Sequence, residues 1–249
     1  MTSLVAAAVV IDVFGSYGPS GTLRYNPSPP VRLLDTRTAG AGALVPARTV
    51  TEVAVPPVGG VAAVAAALNL TAVDAAGPGF VAAYPCGGAV PPVSALNVDS
   101  AAPRANLVQV SATGGKVCLY NMTAMHLVVD LAGVYGTTGL RYQAAAPVRL
   151  VDSRVGTGGW LGATAAFQPV TLPVVPGAAA VTLTAAVTAP SGAGYLTAYA
   201  CGGAAPTASN LNYVDGETVA NGVLAGAGTC AVTKGRAQVV IDLTGWWVA

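Results

Sequence analysis

The feature that most constrains this chain is a strand-like phrase that occurs three times. Val9–Tyr17 reads VVIDVFGSY, His126–Tyr135 reads HLVVDLAGVY and Val239–Trp247 reads VVIDLTGWW. Each copy is an apolar run holding one aspartate (Asp12, Asp130, Asp242), followed by a glycine and an aromatic residue. Between the copies the chain repeats itself in order. Pro30–Arg37 (PVRLLDTR) returns as Pro147–Arg154 (PVRLVDSR), and Tyr84–Gly88 (YPCGG) as Tyr199–Gly203 (YACGG). Ser94–Asn97 returns as Ser209–Asn212, and Ala105-Asn106 as Ala220-Asn221. Ordered matches at a nearly constant offset mean duplication. The boundaries predicted are residues 19–136 for a first unit and 137–249 for a second. Residues 1–18 are then a spare copy of the strand that closes each unit.

LVAAAVVI after Met1 resembles the core of a signal peptide, but it lacks a charged leading region and a small-residue cleavage site, and Asp12 interrupts it. Its likeness to two internal strands marks it as structure. Charged residues make up only 8 % of the chain and the net charge is +1, with no basic cluster, which argues against nucleic acid as a partner. No apolar run reaches the roughly 18 residues of a membrane helix before Pro or Gly breaks it. So little surface charge gives weak repulsion between molecules, which favours a chain held in an assembly.

Helix signals are nearly absent. Short alternating or β-branched runs, punctuated by Gly, Pro and Asn, predict an all-β chain of two tandem antiparallel β-sandwiches, Ig-like or jelly-roll-like, with an extra N-terminal strand. In the first unit about nine strands are expected, near 22–26, 31–36, 49–55, 61–73, 79–84, 93–98, 105–111, 115–120 and 126–135. The four cysteines fall two per unit, Cys86 with Cys118 and Cys201 with Cys230, at spacings that exclude CxxC chemistry. They read as one disulfide in each unit, with four buried thiols as the alternative; disulfides would imply an oxidising compartment.

The series PVRLLDTR, LNLTAV, YPCGG, SALN, AN and VVDLAGVY resembles a module common in secreted actinobacterial proteins, often in tandem or beside cell-wall hydrolase domains. The resemblance spans both units. It implies an extracellular, disulfide-bonded β-sandwich in an accessory role and points to no particular activity. The second unit departs from the pattern at Thr184-Ala185-Ala186, where Asn69-Leu70-Thr71 is lost, and at Gln238, where the first unit has His126.

Candidate chemistry is sparse. Arg32, Asp35 and Arg37, repeated as Arg149, Asp152 and Arg154, hold much of the charge. They form either an anion site built from arginine forks or an internal network pairing Arg37 with Asp130 and Arg154 with Asp242. The network is the expectation, since buried charges persist when paired; Asp12 would then need an arginine that this chain has no third copy to offer. His126, the only histidine, gives little for a nucleophilic triad or a two-histidine metal site, and no calcium loop occurs. No metal, cofactor or enzymatic activity is expected. Tyr84 and Tyr199 beside the CGG turns, with Asn97, Asn106, Asn212 and Asn221, are what a shallow sugar site would use. Trp160, Trp246 and Trp247 find no counterpart in the first unit, and the sequons at Asn69 and Asn121 are not expected to carry glycans.

Two functions follow as expectations. The first is a non-catalytic extracellular structural or adhesive module that self-assembles or joins a larger surface assembly, a variant of which places it on a virus particle. The second is a module that binds a cell-envelope glycan.

Overall fold

The computed structural model of the protein describes residues 10–249; the part of the predicted leading strand before Val10 lies outside the described residues, and residues 10–17, which pair with no other segment, do not form the strand expected there. The first unit contains β1 (Arg24–Asp35), β2 (Thr49–Ala54), β3 (Ala65–Val73), β4 (Gly79–Pro85), β5 (Leu96–Val98), β6 (Arg104–Ser111), β7 (Lys116–Asn121) and β8 (His126–Gly136). The second contains β9 (Arg141–Asp152), β10 (Val170–Thr171), β11 (Ala180–Ser191), β12 (Gly194–Ala200), β13 (Leu211–Tyr213), β14 (Val219–Gly226), β15 (Thr229–Thr233) and β16 (Arg236–Val248). The first unit pairs its strands as β1-β8-β3-β6 and β2-β7-β4-β5; the second repeats this as β9-β16-β11-β14 and β10-β15-β12-β13. All pairings are antiparallel. Eight strands in the order 1-8-3-6 over 2-7-4-5 make each unit a jelly roll. No helix of the described residues is long and apolar enough to cross a membrane.

Eight strands per unit is one fewer than the sequence suggests. The runs at 22–26 and 31–36 are a single strand, β1, with a register break between Pro27 and Val31. Pro27, Pro29 and Pro30 cannot donate to a ladder, but β1 is an edge strand and the bulge absorbs them. β9, with Pro147, does the same at the edge of its own sheet. The strand expected from residue 61 begins instead at Ala65, because Gly59 and Gly60 take positive φ and fold Val61 back on Val58.

The repeated phrase is the second strand of its sheet, not a border. β8 lies between β1 and β3, and β16 between β9 and β11. Leu127, Val129 and Leu131 face the first core with Leu68, Leu70, Val81 and Leu119. Val239, Ile241 and Leu243 do the same in the second core with Leu183 and Leu196. Alternation sends Asp130 and Asp242 to the opposite, outer face of each sheet. There the units differ. Every residue of β8 is buried, whereas β16 alternates buried and half-buried positions from Ile241 to Val248. The outer face of the first unit is covered; that of the second is half open.

Candidate functional site

The arginine clusters form in both units, with a pairing other than the one expected. Arg32, not Arg37, binds Asp130: Nε donates to Oδ1 at 2.5 Å and Nη2 to Oδ2 at 3.3 Å. Arg149, not Arg154, binds Asp242 in the same way. The register explains the correction. Arg32 is directly opposite Asp130, while Arg37 lies beyond the end of β1 and folds back on Asp35. Asp35 accepts from Arg37 Nε (2.8 Å), Arg37 Nη2 (2.6 Å), the Arg37 backbone (3.1 Å) and Arg32 Nη1 (2.6 Å). Asp152 repeats this with Arg149 and Arg154. The hydrogen bonds from Arg37 hold the Asp35 carboxyl down to about 2, and those from Arg154 lower that of Asp152. Burial pushes Asp130 the other way, above the usual carboxylate range, against the pull of Arg32. Two arginines and two aspartates cancel in each cluster, which leaves no charge to hold an external anion.

The tyrosines of the expected sugar site do not join its asparagines. Tyr84 and Tyr199 are 6 % and 7 % exposed, each opposite the β7 or β15 cysteine of its cystine, so neither offers a ring face to a sugar. The disulfides are Cys86–Cys118 and Cys201–Cys230, each tying the turn after one strand to the adjacent strand. Glu52 approaches the first cystine, but its sulfurs are bonded to each other and its carboxylate meets Lys116 at 2.7 Å. His126 is buried beside Thr36, 3.2 Å from its hydroxyl. The sequon asparagines are both buried: Asn69 donates to Ser209 and Asn121 to Pro46 and Thr123.

The asparagines divide between two places that correspond by duplication. Asn221, 4 % exposed, lies in the seam between the units. Its Oδ1 accepts from Leu107 N at 2.8 Å, and its Nδ2 donates to Asn69 Oδ1 at 2.9 Å and to Asn210 O at 2.6 Å. Asn69 Nδ2 donates to Ser209 O at 2.6 Å. Leu107 packs on Gly222, where a Cβ would come within 2.9 Å of it. Arg104 and Glu217 form an ion pair at 2.8 Å across the same seam. β14 passes over the outer face of the first unit's sheet, touching β1, β8 and β6, and so buries β8 on both sides.

Asn106, the counterpart of Asn221, repeats only its local bond, from Nδ2 to Ala95 O at 2.7 Å. With Ser94, Asn97 and Arg104 it lines an open pocket of about 360 Å³, whose other wall is Val10 and Asp12. The seam therefore joins the outer face of one unit to the β13–β14 side of the next, and leaves the corresponding side of the first unit open.

Where the units meet, aromatic rings from all three copies of the repeated phrase converge. Tyr17, Tyr135 and Trp247 each stand five residues after their copy's aspartate, so Trp247 does have a counterpart, contrary to expectation. Tyr17 is 6.4 Å from Tyr135 and 5.3 Å from Trp247 between centroids, and Tyr135 is 5.9 Å from Trp247. Tyr25 and Tyr142, from β1 and β9, pack among them. The hydroxyls of Tyr17 and Tyr135 lie 2.9 Å apart and both donate to Gln109. Burial raises the Tyr25, Tyr135 and Tyr17 hydroxyl pKa values, so all three stay neutral donors. No family model, curated protein or solved structure matches this chain.

Proposed function

We propose that the protein is a non-catalytic structural module of an extracellular or cell-surface assembly, which associates with copies of itself or with a larger partner. The observation that carries this reading is the seam. It joins two unlike surfaces of homologous units, and such a heterologous contact leaves one of each surface unused at the ends. The open β16 face and the open Asn106 pocket are those two ends. Two disulfides in a chain so poor in charge suit an oxidising compartment, as does the resemblance to secreted actinobacterial modules. The arginine clusters are self-neutralised and the lone histidine is buried, which favours assembly over catalysis.

The test is the mass of the oxidised chain in solution by light scattering, with negative-stain images. A discrete oligomer or fibre well above 24.3 kDa is the expected result. A monomer at all concentrations removes self-association as the function.

A further inference from the structure

We infer that residues 10–17 are the closing strand of a third jelly-roll unit, and that what they pair with is a body of the same repeat that lacks a closing strand of its own. This goes beyond the assembly reading by naming both the strand and what it completes.

Four observations place the segment in a third position of a ring. First, the contacts among the aromatics run in one sense. Tyr25 of the first unit touches its own closing aromatic, Tyr135, and that of the second unit, Trp247, at 5.1 and 4.6 Å. Tyr142 of the second unit touches its own, Trp247, and then Tyr17, at 4.9 and 4.5 Å. Tyr17 thus stands to the second unit as Trp247 stands to the first. Second, Asn221 faces the outer sheet of the first unit beside the Asp130 strand; its counterpart Asn106 lines a pocket walled by Val10 and Asp12, the matching positions of the leading copy. The same order of neighbours recurs in both steps, and a third such step would close a ring.

Third, the segment keeps features that only a surrounding unit would use. Gly133 and Gly245 sit under the tyrosine of their own first strand: a Cβ would lie 2.6 Å from the Tyr25 ring in one and 2.5 Å from the Tyr142 ring in the other. Gly15 occupies the same position and has nothing within 4 Å. Asp130 and Asp242 are each bound by a first-strand arginine, whereas Asp12 has no ion-pair partner among the described residues. Fourth, Val10, Ile11 and Val13 are 87 %, 67 % and 84 % exposed, and residues 10–17 pair with no strand on either side. In both complete units the closing strand has a neighbour on each side. An apolar segment whose backbone groups are unpaired is open to strand addition. An intact second copy does not fit the place, since both of its units already carry their closing strands.

The experiment offers the full chain a tagged fragment of itself, residues 19–125, which is the first unit without β8. The two are co-expressed in an oxidising compartment; in a second arrangement the fragment is joined ahead of residue 8 by a flexible linker, so that encounter is not limiting. The expected result is a one-to-one complex, or a folded fusion, in which the fragment's copies of Cys86 and Cys118 are oxidised and residues 10–17 gain amide protection. Gly15→Val leaves the melting of the chain alone unchanged and lowers uptake of the fragment roughly tenfold or more. A fragment that keeps free thiols in both arrangements overturns the inference, as does uptake insensitive to Gly15→Val. Protection of residues 10–17 by a second copy of the unaltered chain also overturns it. A chain that stays monomeric alone yet takes up the fragment retires self-association and upholds the strand assignment.

Discussion

The two copies of one ion pair differ in a way that sets their energetic roles. Asp130 has a side chain only 4 % exposed beneath the second unit, while that of Asp242 is 28 % exposed on the open face. Arg32→Ala leaves a buried carboxylate without its partner and is expected to cost about 3–5 kcal/mol. Arg149→Ala removes the same bond from a more solvated group and should cost about 1 kcal/mol or less. Urea melts of the two variants check the contrast, and equal losses would refute it. Asp35 supplies the pH dependence. Its carboxyl sits at about 2 in the folded chain and near 4 in an unfolded one. Its contribution is therefore complete above about pH 4 and is lost as pH falls through 2. The raised Asp130 acts in the opposite sense, since its ionisation works against the fold. Asp35→Asn should flatten the acid limb of a plot of melting temperature against pH; an unchanged limb would assign the loss to other groups. The repeated Arg-x-x-Asp-x-Arg signature was enough to predict an internal network. Its true pairs were hidden because the bulge in β1 decides which arginine meets β8, and alternation counted along the chain does not register a bulge.

At the scale of strands, duplication made most of the fold legible. The two copies vote together on each strand, and the threonine-alternating β11 settled the alanine-rich β3 against a helix. Two things were not legible. Prolines within β1 read as a break because nothing local says that the strand is at an edge. Whether Tyr84 and Tyr199 pack or face a ligand was open, because a turn-flanking tyrosine with apolar neighbours can do either; each is buried opposite a cystine. Asn106 and Asn221 occupy corresponding positions of the repeat, each after an alanine, yet differ in environment, and this difference arises when the units pack. Asn221→Ala would strand the Leu107 N–H and the Asn69 carbonyl in a dry seam, at about 2–4 kcal/mol for the two groups. Asn106→Ala in the open pocket should cost under about 1 kcal/mol. Thermal unfolding of both variants tests whether the seam is as dry as its hydrogen bonds imply. Similar losses would mean that water reaches Asn221.

For the whole molecule, the leading segment has a role disproportionate to its length. Tyr17 reaches the centre of the aromatic cluster, bonds Gln109 and Tyr135, and covers Tyr142 and Trp247. Val10 and Asp12 wall the Asn106 pocket, and Val10, Ile11 and Val13 leave apolar side chains in water. A strand in that state gains free energy by acquiring neighbours, so it is the part of the chain most directly tied to association. Removal of residues 1–17 should have two separable effects. Loss of the Tyr17 ring uncovers the cluster, lowers stability by about 1–2 kcal/mol and shifts Trp247 fluorescence to longer wavelength. Loss of the open segment should abolish uptake of the 19–125 fragment while leaving any association of intact copies unchanged. Tyr17→Ala in the full chain separates the two, since it weakens the cluster while keeping the strand. If the truncated chain assembles as the full one does, association runs through the β16 face or the Asn106 pocket alone. If only the truncation abolishes assembly of intact copies, the leading segment carries that assembly and its assignment to a third unit fails.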